Sequence, residues 1–274
     1  MIAFQGEPGA YSEAAALAFF GAQTETLPCD TFEMVFQAVD LGEAEHGLIP
    51  IENSLAGSIH RNYDLLLRYQ IPITGEVHHR IRHCLLALPD VEIADLRRVM
   101  SHPQALAQCE QYLSRLNEVE IVSEQDTAGS ARIVSERGLR DTAAIASKHA
   151  SEVYGMKVLA EGIEDDPANF TRFLSLGGEL PKSSPGSKTS IVFALENQPG
   201  ALSAALAPFA SRGIDLAKIE SRPLIGKPWE YLFYLDIVGA PGDEAASAGL
   251  AELKAITTEF RILGTYPQHR FGAD

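Results

Sequence analysis

Apolar residues recur along the chain in two alternating rhythms. Short runs of strand character at 2–4, 46–51, 98–101, 119–122 and 142–145 are each followed by a stretch with apolar residues at helical spacing. The predicted helices cover 11–20, 31–41, 61–69, a segment opening at 126, and 147–154. Ser12 and Thr31 are placed to cap the first two. Residues 71–88 read as extended. At 102–109 a helix opens with Pro103 in its first turn, where a missing N–H costs nothing. Strand and helix in alternation predict sheets covered by helices. The acidic, turn-prone run at 164–167 leads into a short strand over 170–176 that stops at Gly177-Gly178.

The rhythm changes after residue 177. Pro181, Ser183, Ser184, Pro185 and Gly186 make 177–187 the clearest linker. Beyond it come a strand at 189–195, a turn at 197–200, and an amphipathic helix at 201–212 with Leu202, Leu206 and Phe209 on one face. Strands at 214–221 and 231–238, a helix at 243–255 and a strand at 259–266 complete the order βαββαβ, which is ferredoxin-like. The fold class is therefore α/β, followed by a ferredoxin-like module.

Composition narrows the function. A chain of 274 residues has the length of two domains. The net charge of −15 speaks against nucleic acid or an anionic membrane as partner, and an anionic small substrate would need local cations. Cys29, Cys84 and Cys109 are odd in number and lack CxxC spacing, as expected of reduced thiols in the cytoplasm. The first residues lack the pattern of a signal peptide, and no apolar run reaches membrane-spanning length.

Several constellations carry candidate chemistry, each with a plain structural reading beside it. The loop Gly6–Gly9 between strand and helix offers backbone N–H groups but lacks GxGxxG, so a simple βα turn fits equally. Glu52, Asn53, Ser54 and Ser58 follow a strand at its carboxyl end, where open α/β sheets bind ligands, although one of them suffices to cap the next helix. His78, His79 and His83 lack metal spacing and read as solvated or hydrogen-bonded; no metal or cofactor is expected. Gln104 and Gln108 share a helical face and, with Ser101, line a polar edge, which a surface helix would also produce. Thr171 supplies a hydroxyl and Arg172 a positive fork, on what is otherwise an ordinary strand.

Taken together, these stretches resemble the prephenate dehydratases that carry a C-terminal ACT regulatory domain. The matching motifs are Gly6–Glu13, Pro50–Ser54, Ser101–Gln104 with Gln108-Cys109, Thr171-Arg172-Phe173, Gly200-Ala201-Leu202 and Glu220–Pro223, in family order along nearly the whole chain. Glu7 stands where many members have Pro. No chorismate mutase segment precedes Met1, so the monofunctional form is expected. The resemblance implies a catalytic domain at 1–180 made of two subdomains, like a periplasmic binding protein, with the site in their cleft. The first subdomain would take about 1–76 and 155–180, and the second about 77–154. A linker at 181–188, an ACT domain at 189–267 and a tail at 268–274 would follow.

The implied reaction is conversion of prephenate to phenylpyruvate, in phenylalanine biosynthesis. The resemblance gives Thr171 hydrogen-bond donation to the leaving hydroxyl and Arg172 a substrate carboxylate. Asn53, Ser101 and Gln108 would orient substrate, and Glu52 is the nearest acid. Gly9, Ser12, Ser54, Thr127, Ala128 and Phe173 would complete the substrate site. The ACT resemblance implies inhibition by L-phenylalanine, held by Asn197, Pro199, Gly200, Ala201 and Leu202 with Glu220 and Ser221 of a facing segment, in a homodimer or homotetramer. Residues 50–61 look like those of arogenate-using plant relatives, so arogenate dehydration is one alternative. A non-catalytic amino-acid sensor is the other.

Overall fold

The structure, a computed structural model, describes residues 1–116, 118–181, 186–224, 226 and 229–269. The chain opens with β1 (Ile2–Gln5), α1 (Tyr11–Phe20), β2 (Thr26–Cys29), α2 (Phe32–Asp40), β3 (His46–Asn53), β4 (Gly57–Ser58), α3 (His60–Arg68) and β5 (Ile73–Arg80). It continues with β6 (Cys84–Ala87), β7 (Arg98–Ser101), α4 (Pro103–Ala107), α5 (Glu110–Leu113), β8 (Glu120–Ser123), α6 (Thr127–Glu136), β9 (Thr142–Ala146), α7 (Lys148–Val153) and β10 (Lys157–Glu161). The remainder is β11 (Phe170–Gly177), β12 (Ser187–Ala194), α8 (Ala201–Ala210), β13 (Leu216–Pro223), β14 (Tyr231–Val238), α9 (Glu244–Ile256) and β15 (Glu259–Pro267). Two compact units result: Met1–Leu67 with Val77–Phe173, and Arg68–Glu76 with Leu174–Asp274.

The first unit is built on two sheets. One has the order β2-β1-β3-β11-β5, with β4 paired to β3; residues 73–76 of β5 and 174–177 of β11 are counted with the second unit. The other has the order β10-β6-β9-β7-β8. In the latter, β7 runs parallel to β8 and β9, while β6 is antiparallel to β9 and β10. Helices cover both faces of this second sheet, so its central strands are apolar without alternation. Period-two geometry sends Leu85 and Ala87 of β6 to one core with Val99 and Ile145, and Cys84 and Leu86 to another with Met100 and Val134.

Local chemistry sets most boundaries. Thr31 caps α2 as expected, accepting from the Met34 N–H at 3.3 Å. Ser12 does not cap α1: the N-cap is Ala10, which has no side chain to give, and Ser12 falls in the first turn. The helix after Pro103 stops at Ala107, and Gln108 takes its C-cap. The extended region at 71–88 divides into two strands, β5 and β6, in different sheets. Three strands have no counterpart in the sequence pattern, β2, β4 and β10. β4 pairs with β3, β2 and β10 lie at sheet edges, and β2 contains Pro28, which an edge tolerates.

The second unit carries the predicted βαββαβ order as a sheet β13-β14-β12-β15, antiparallel throughout. Phe193 and Ile191 of β12 pack with Leu235, Ile237, Phe209, Leu250 and Leu253 in one core. The opposite face of β12 carries Lys188 and Ser190 beside Val192 and Ala194. There Lys188 Nζ meets both oxygens of Glu76 at 2.8 and 2.9 Å, both residues being nearly inaccessible. Of the expected linker, residues 182–185 lie outside the described residues, while Ser187 and Lys188 already belong to β12; of the expected tail, 270–274 lie outside them. Among the described residues no helix is long and apolar enough to cross a membrane.

Candidate active site

A cavity of about 360 Å³ opens in the first unit, within the size range of small-ligand sites. Both sheets contribute to its wall: Asn53 from the end of β3, Thr171 and Phe173 from β11, His83 just before β6 and Gln108 at the end of α4. Tyr11 and Ser12 reach it from the first turn of α1, which has no side-chain cap and so leaves N–H groups facing outward.

Strand periodicity decides which part of Thr171-Arg172-Phe173 meets the cavity. Residues 171 and 173 point to one face and 172 to the other. Arg172 is accordingly absent from the cavity wall. Its Nη1 lies 3.2 Å from Glu52 Oε1, with the guanidinium side chain only 7% exposed. Arg172, expected to hold a substrate carboxylate, and Glu52, expected as an acid, are thus paired with each other, and neither lines this cavity.

The polar wall is a connected chain. Asn53 Oδ1 accepts from the backbone N–H groups of Leu55 and Ala56 at 3.0 and 2.9 Å. Backbone N–H groups can only donate, so this fixes which way the Asn53 amide faces. Its Nδ2 then donates to Asn169 Oδ1 at 2.8 Å, to Thr171 Oγ1 at 3.0 Å and to Phe170 O at 3.1 Å. Asn169 Nδ2 donates to Gln108 Oε1 at 3.1 Å, and His83 Nε2 reaches the same oxygen at 2.9 Å. Tyr11 OH lies 2.7 Å from His83 Nδ1. Burial pushes the His83 imidazole below its ordinary pKa, against the pull of Gln108 and Glu164. Burial likewise pushes the Tyr11 phenol well above its ordinary value, helped by Cys84, Cys109 and Glu164.

Other expected site residues are placed elsewhere for identifiable reasons. Ser101 is fully buried and donates to Ile145 O at 2.6 Å, tying β7 to β9. Ser54 donates to Ala168 O at 2.7 Å and accepts from Phe170 N at 2.9 Å, stapling the ends of β3 and β11. The Gly9 N–H is taken by Glu13 Oε2 at 2.6 Å and its carbonyl by Ser147 Oγ at 2.6 Å. Ala128 is buried in α6, although Thr127 beside it lines the cavity. Asn53, Gln108, Thr171, Ser12, Thr127, Phe173 and Gln104 do come together around the cavity. The described lining contains no Lys, Arg, Asp or Glu. Sequence reasoning missed Tyr11, His83 and Asn169. Only the hydrogen-bonded reading of the histidines pointed toward them.

In the second unit a hollow of about 100 Å³ is lined by residues that include Asn197, Ala201, Leu202, Tyr231 and Phe233. Gly200 caps α8 in the left-handed region at φ 84° and, like Pro199, is not in that lining. Ser221 pairs with Phe233 across β13–β14, while Glu220 pairs with Tyr234. Neighbouring strand residues face opposite ways, so Glu220 turns from the hollow-side face and lies 3.7 Å from Lys218 Nζ. Within one chain Glu220 and Ser221 thus lie on opposite faces of β13.

A two-sheet α/β unit with a polar cavity, joined to a ferredoxin-like unit with its own hollow, is the plan of a small-molecule enzyme with a ligand-sensing module. Residues 2–180 match the family model Prephenate dehydratase and residues 189–254 match the ACT domain. The chain belongs to the prephenate dehydratase family. It is 49% identical to arogenate dehydratase 1 of Petunia hybrida over 97% of this chain and 66% of that protein. It is 47% identical to arogenate dehydratase/prephenate dehydratase 6, chloroplastic, of Arabidopsis thaliana over 97% of this chain and 68% of the relative. It therefore spans about two thirds of the length of these curated relatives. Among solved structures, the prephenate dehydratase of Arthrobacter aurescens in complex with L-Phe matches with a TM-score of 0.89 and 34% identity, covering 97% of this chain and 89% of that one. GqqA, described as a novel type of quorum quenching acylase, matches with a TM-score of 0.92 and 39% identity, covering 98% of each chain.

Proposed function

We propose that this chain is a carbon–oxygen lyase that converts prephenate to phenylpyruvate, accepts arogenate as an alternative substrate, and is inhibited by L-phenylalanine at the ferredoxin-like unit. One observation carries the catalytic half. Thr171 Oγ1 accepts from Asn53, and among the described residues nothing accepts the Thr171 proton. The hydroxyl is therefore a donor aimed into the cavity.

That is what the reaction needs. The ring carboxylate leaves as carbon dioxide, its bonding pair enters the ring, and the C–O bond breaks to expel hydroxide as the ring becomes aromatic. Hydroxide leaves poorly unless its charge is met as it develops. A donor fixed at that position stabilises the transition state by about 2.7–4 kcal/mol. Solvent supplies the proton that completes water. Gln108, Ser12 and the first turn of α1 provide donors for the pyruvyl carboxylate. The apolar wall beside Phe173 and Ile81 suits the ring carboxylate, because tight binding of a group that departs as neutral gas would stabilise the ground state. Arogenate carries an amino group where prephenate has a keto group, and the same contacts serve both.

The names of the plant relatives support the arogenate alternative, and the L-Phe complex of the bacterial relative supports the inhibitor. Pairing of two ferredoxin-like units, in a dimer or tetramer, would bring a second chain's segment to the hollow. The three free, buried cysteines support a reducing compartment such as the cytoplasm.

The similarity to an acylase favours a second reading. Acyl transfer requires an activated nucleophile. Here burial and neighbouring acids push the Cys84 and Cys109 thiols up to about 11 and about 12, and Ser101 spends its proton on a backbone carbonyl. The test is purified chain with prephenate, arogenate or an acylated amide at neutral pH, with and without phenylalanine. Phenylpyruvate formation suppressed by phenylalanine confirms the proposal. Turnover of the amide alone replaces it with the acylase, and phenylalanine binding without any turnover leaves a sensor.

A further inference from the structure

Two side chains of the cavity wall have no part in the mechanism above. Tyr11 and His83 stand edge to face with ring centres 5.5 Å apart and end the hydrogen-bond chain on the side away from Thr171. For a neutral imidazole, the chain read from Asn53 sets one arrangement of protons. Asn53 is pinned by two backbone donors, so its NH2 faces Asn169 Oδ1. The Asn169 NH2 must then face Gln108 Oε1. That oxygen has no proton to give, so the imidazole nitrogen 2.9 Å away must carry one. The neutral ring is consequently bare at Nδ1, and the Tyr11 hydroxyl donates to it.

We propose that Tyr11 and His83 are positioning residues that lock the Gln108 side chain with its carbonyl toward the protein and its NH2 group toward the cavity. Gln108 Oε1 receives one donor from Asn169 and one from His83, and among the described residues nothing takes the amide protons. The NH2 therefore faces the anionic substrate. If His83 carried its proton on Nδ1 instead, two lone pairs would meet at 2.9 Å and Gln108 would have to turn over. Its NH2 would then meet the NH2 of Asn169, which cannot turn in response because Asn53 is fixed. A reversed Gln108 would also aim a carbonyl at a carboxylate. Tyr11 OH, 2.7 Å from Nδ1 and 3.3 Å from Arg82 O, supplies the donor that the bare nitrogen needs. The lock thus selects for a negatively charged ligand in a cavity whose described lining has no Lys or Arg.

This inference rests on the cavity being the substrate site, and its two tests separate the one from the other. The first is the long-range nitrogen–proton NMR spectrum of uniformly labelled wild-type chain at pH 7, with His83 assigned by its loss in His83→Gln. A proton on Nε2 and none on Nδ1 is expected. A proton on Nδ1, or on both nitrogens, overturns the lock whether or not the chain is an enzyme. The second is steady-state kinetics on prephenate. His83→Leu removes the donor to Gln108 and should raise KM about 10- to 100-fold, the range for a hydrogen bond to a charged group. His83→Gln places an amide donor near the lost Nε2 and should recover most of that loss. Equal KM values for the two variants would overturn the lock. Should His83→Leu fail to fold, Tyr11→Phe serves: it frees Nδ1, so a mixture of tautomers and a KM raised roughly threefold are expected. An unchanged spectrum and KM in that variant contradict the proposal. The expected tautomer in a chain with no turnover of prephenate or arogenate would refute the assigned reaction and leave the lock standing.

Discussion

Asn53 Nδ2 lies 3.0 Å from Thr171 Oγ1 although 118 positions separate the two residues in the chain. Because the amide donates, the hydroxyl keeps its own proton for another acceptor. Thr171→Ala should lower kcat on prephenate by about 10²–10³-fold with a much smaller change in KM, as for loss of one transition-state donor. Asn53→Ala should cost a similar factor. The double variant should be far less impaired than the product of the two losses, because both act through one hydrogen bond. Multiplicative losses would separate the residues.

Glu13 and His149 form a pH-dependent tie within the first unit, from α1 to α7, with Nε2–Oε2 at 3.1 Å. Burial disfavours the Glu13 carboxylate, but hydrogen bonds from His149, the Gly9 N–H and Thr26 outweigh it and hold its pKa below the ordinary value. The hydrogen bond to Glu13 raises the His149 pKa, against burial. The Glu13 contribution is lost as pH falls through its lowered pKa. The His149 contribution is complete below the ordinary value of 6.5 and is lost as pH rises through the raised one. Urea unfolding of wild type and His149→Gln should therefore differ most near pH 5–6, by about 1–2 kcal/mol, and least above pH 8. A pH-independent difference would show that packing alone is involved.

Gly264 in β15 sits against the backbone of β5. A Cβ there would lie 2.0 Å from Ile73 O, and the obstacle is main chain rather than a movable side chain. Gly264→Ala should destabilise by about 3 kcal/mol or more, at the upper end of overpacking costs. Thermal unfolding of the variant measures this directly.

Lys188 and Glu76 are 3% and 2% exposed, and the His269 N–H also points at the carboxylate, 3.1 Å from Oε1. Lys188→Met leaves a buried charge without its counter-ion and should cost about 3–5 kcal/mol. Adding Glu76→Leu should return most of that stability, since an apolar pair of similar volume is close to neutral. A double variant as unstable as the single would assign the loss to packing.

The sequence pattern held most of the architecture. The βα rhythm of the first 160 residues and the βαββαβ order after the linker both carried through, because their strands and helices bury whole faces and so repeat at 2 and 3.6 residues. The three missed strands are short pieces of two to five residues whose pairing is decided by neighbours rather than by their own composition. The site was legible as a set of segments and less so as side chains. Thr171, Asn53 and Gln108 were expected and meet around one cavity. Arg172 does not line the cavity, and the alternation that turns it to the other face was available in the strand itself. Ser54 and Ser101 tie strands together here, and a hydroxyl that does so looks like one that touches a ligand until the acceptor is known. His83 and Asn169 act through partners at least 25 positions away, a relation no local pattern encodes.

The uncharged wall of the cavity has a kinetic consequence for a protein of net charge −15. A dianion of the proposed kind would be repelled at long range, and the described lining holds no Lys or Arg to reverse the sign of the field. Capture then depends on the last few ångströms, where oriented N–H dipoles take over from Coulomb's law. Dissolved salt should speed this encounter, the opposite of the familiar steered association, until the screening length shrinks to about 8 Å near 0.15 M ionic strength and most of the repulsion is gone. Association would be slowest in dilute buffer, and the acidic surface would act as a barrier to anions that the neutral donors inside admit only at contact.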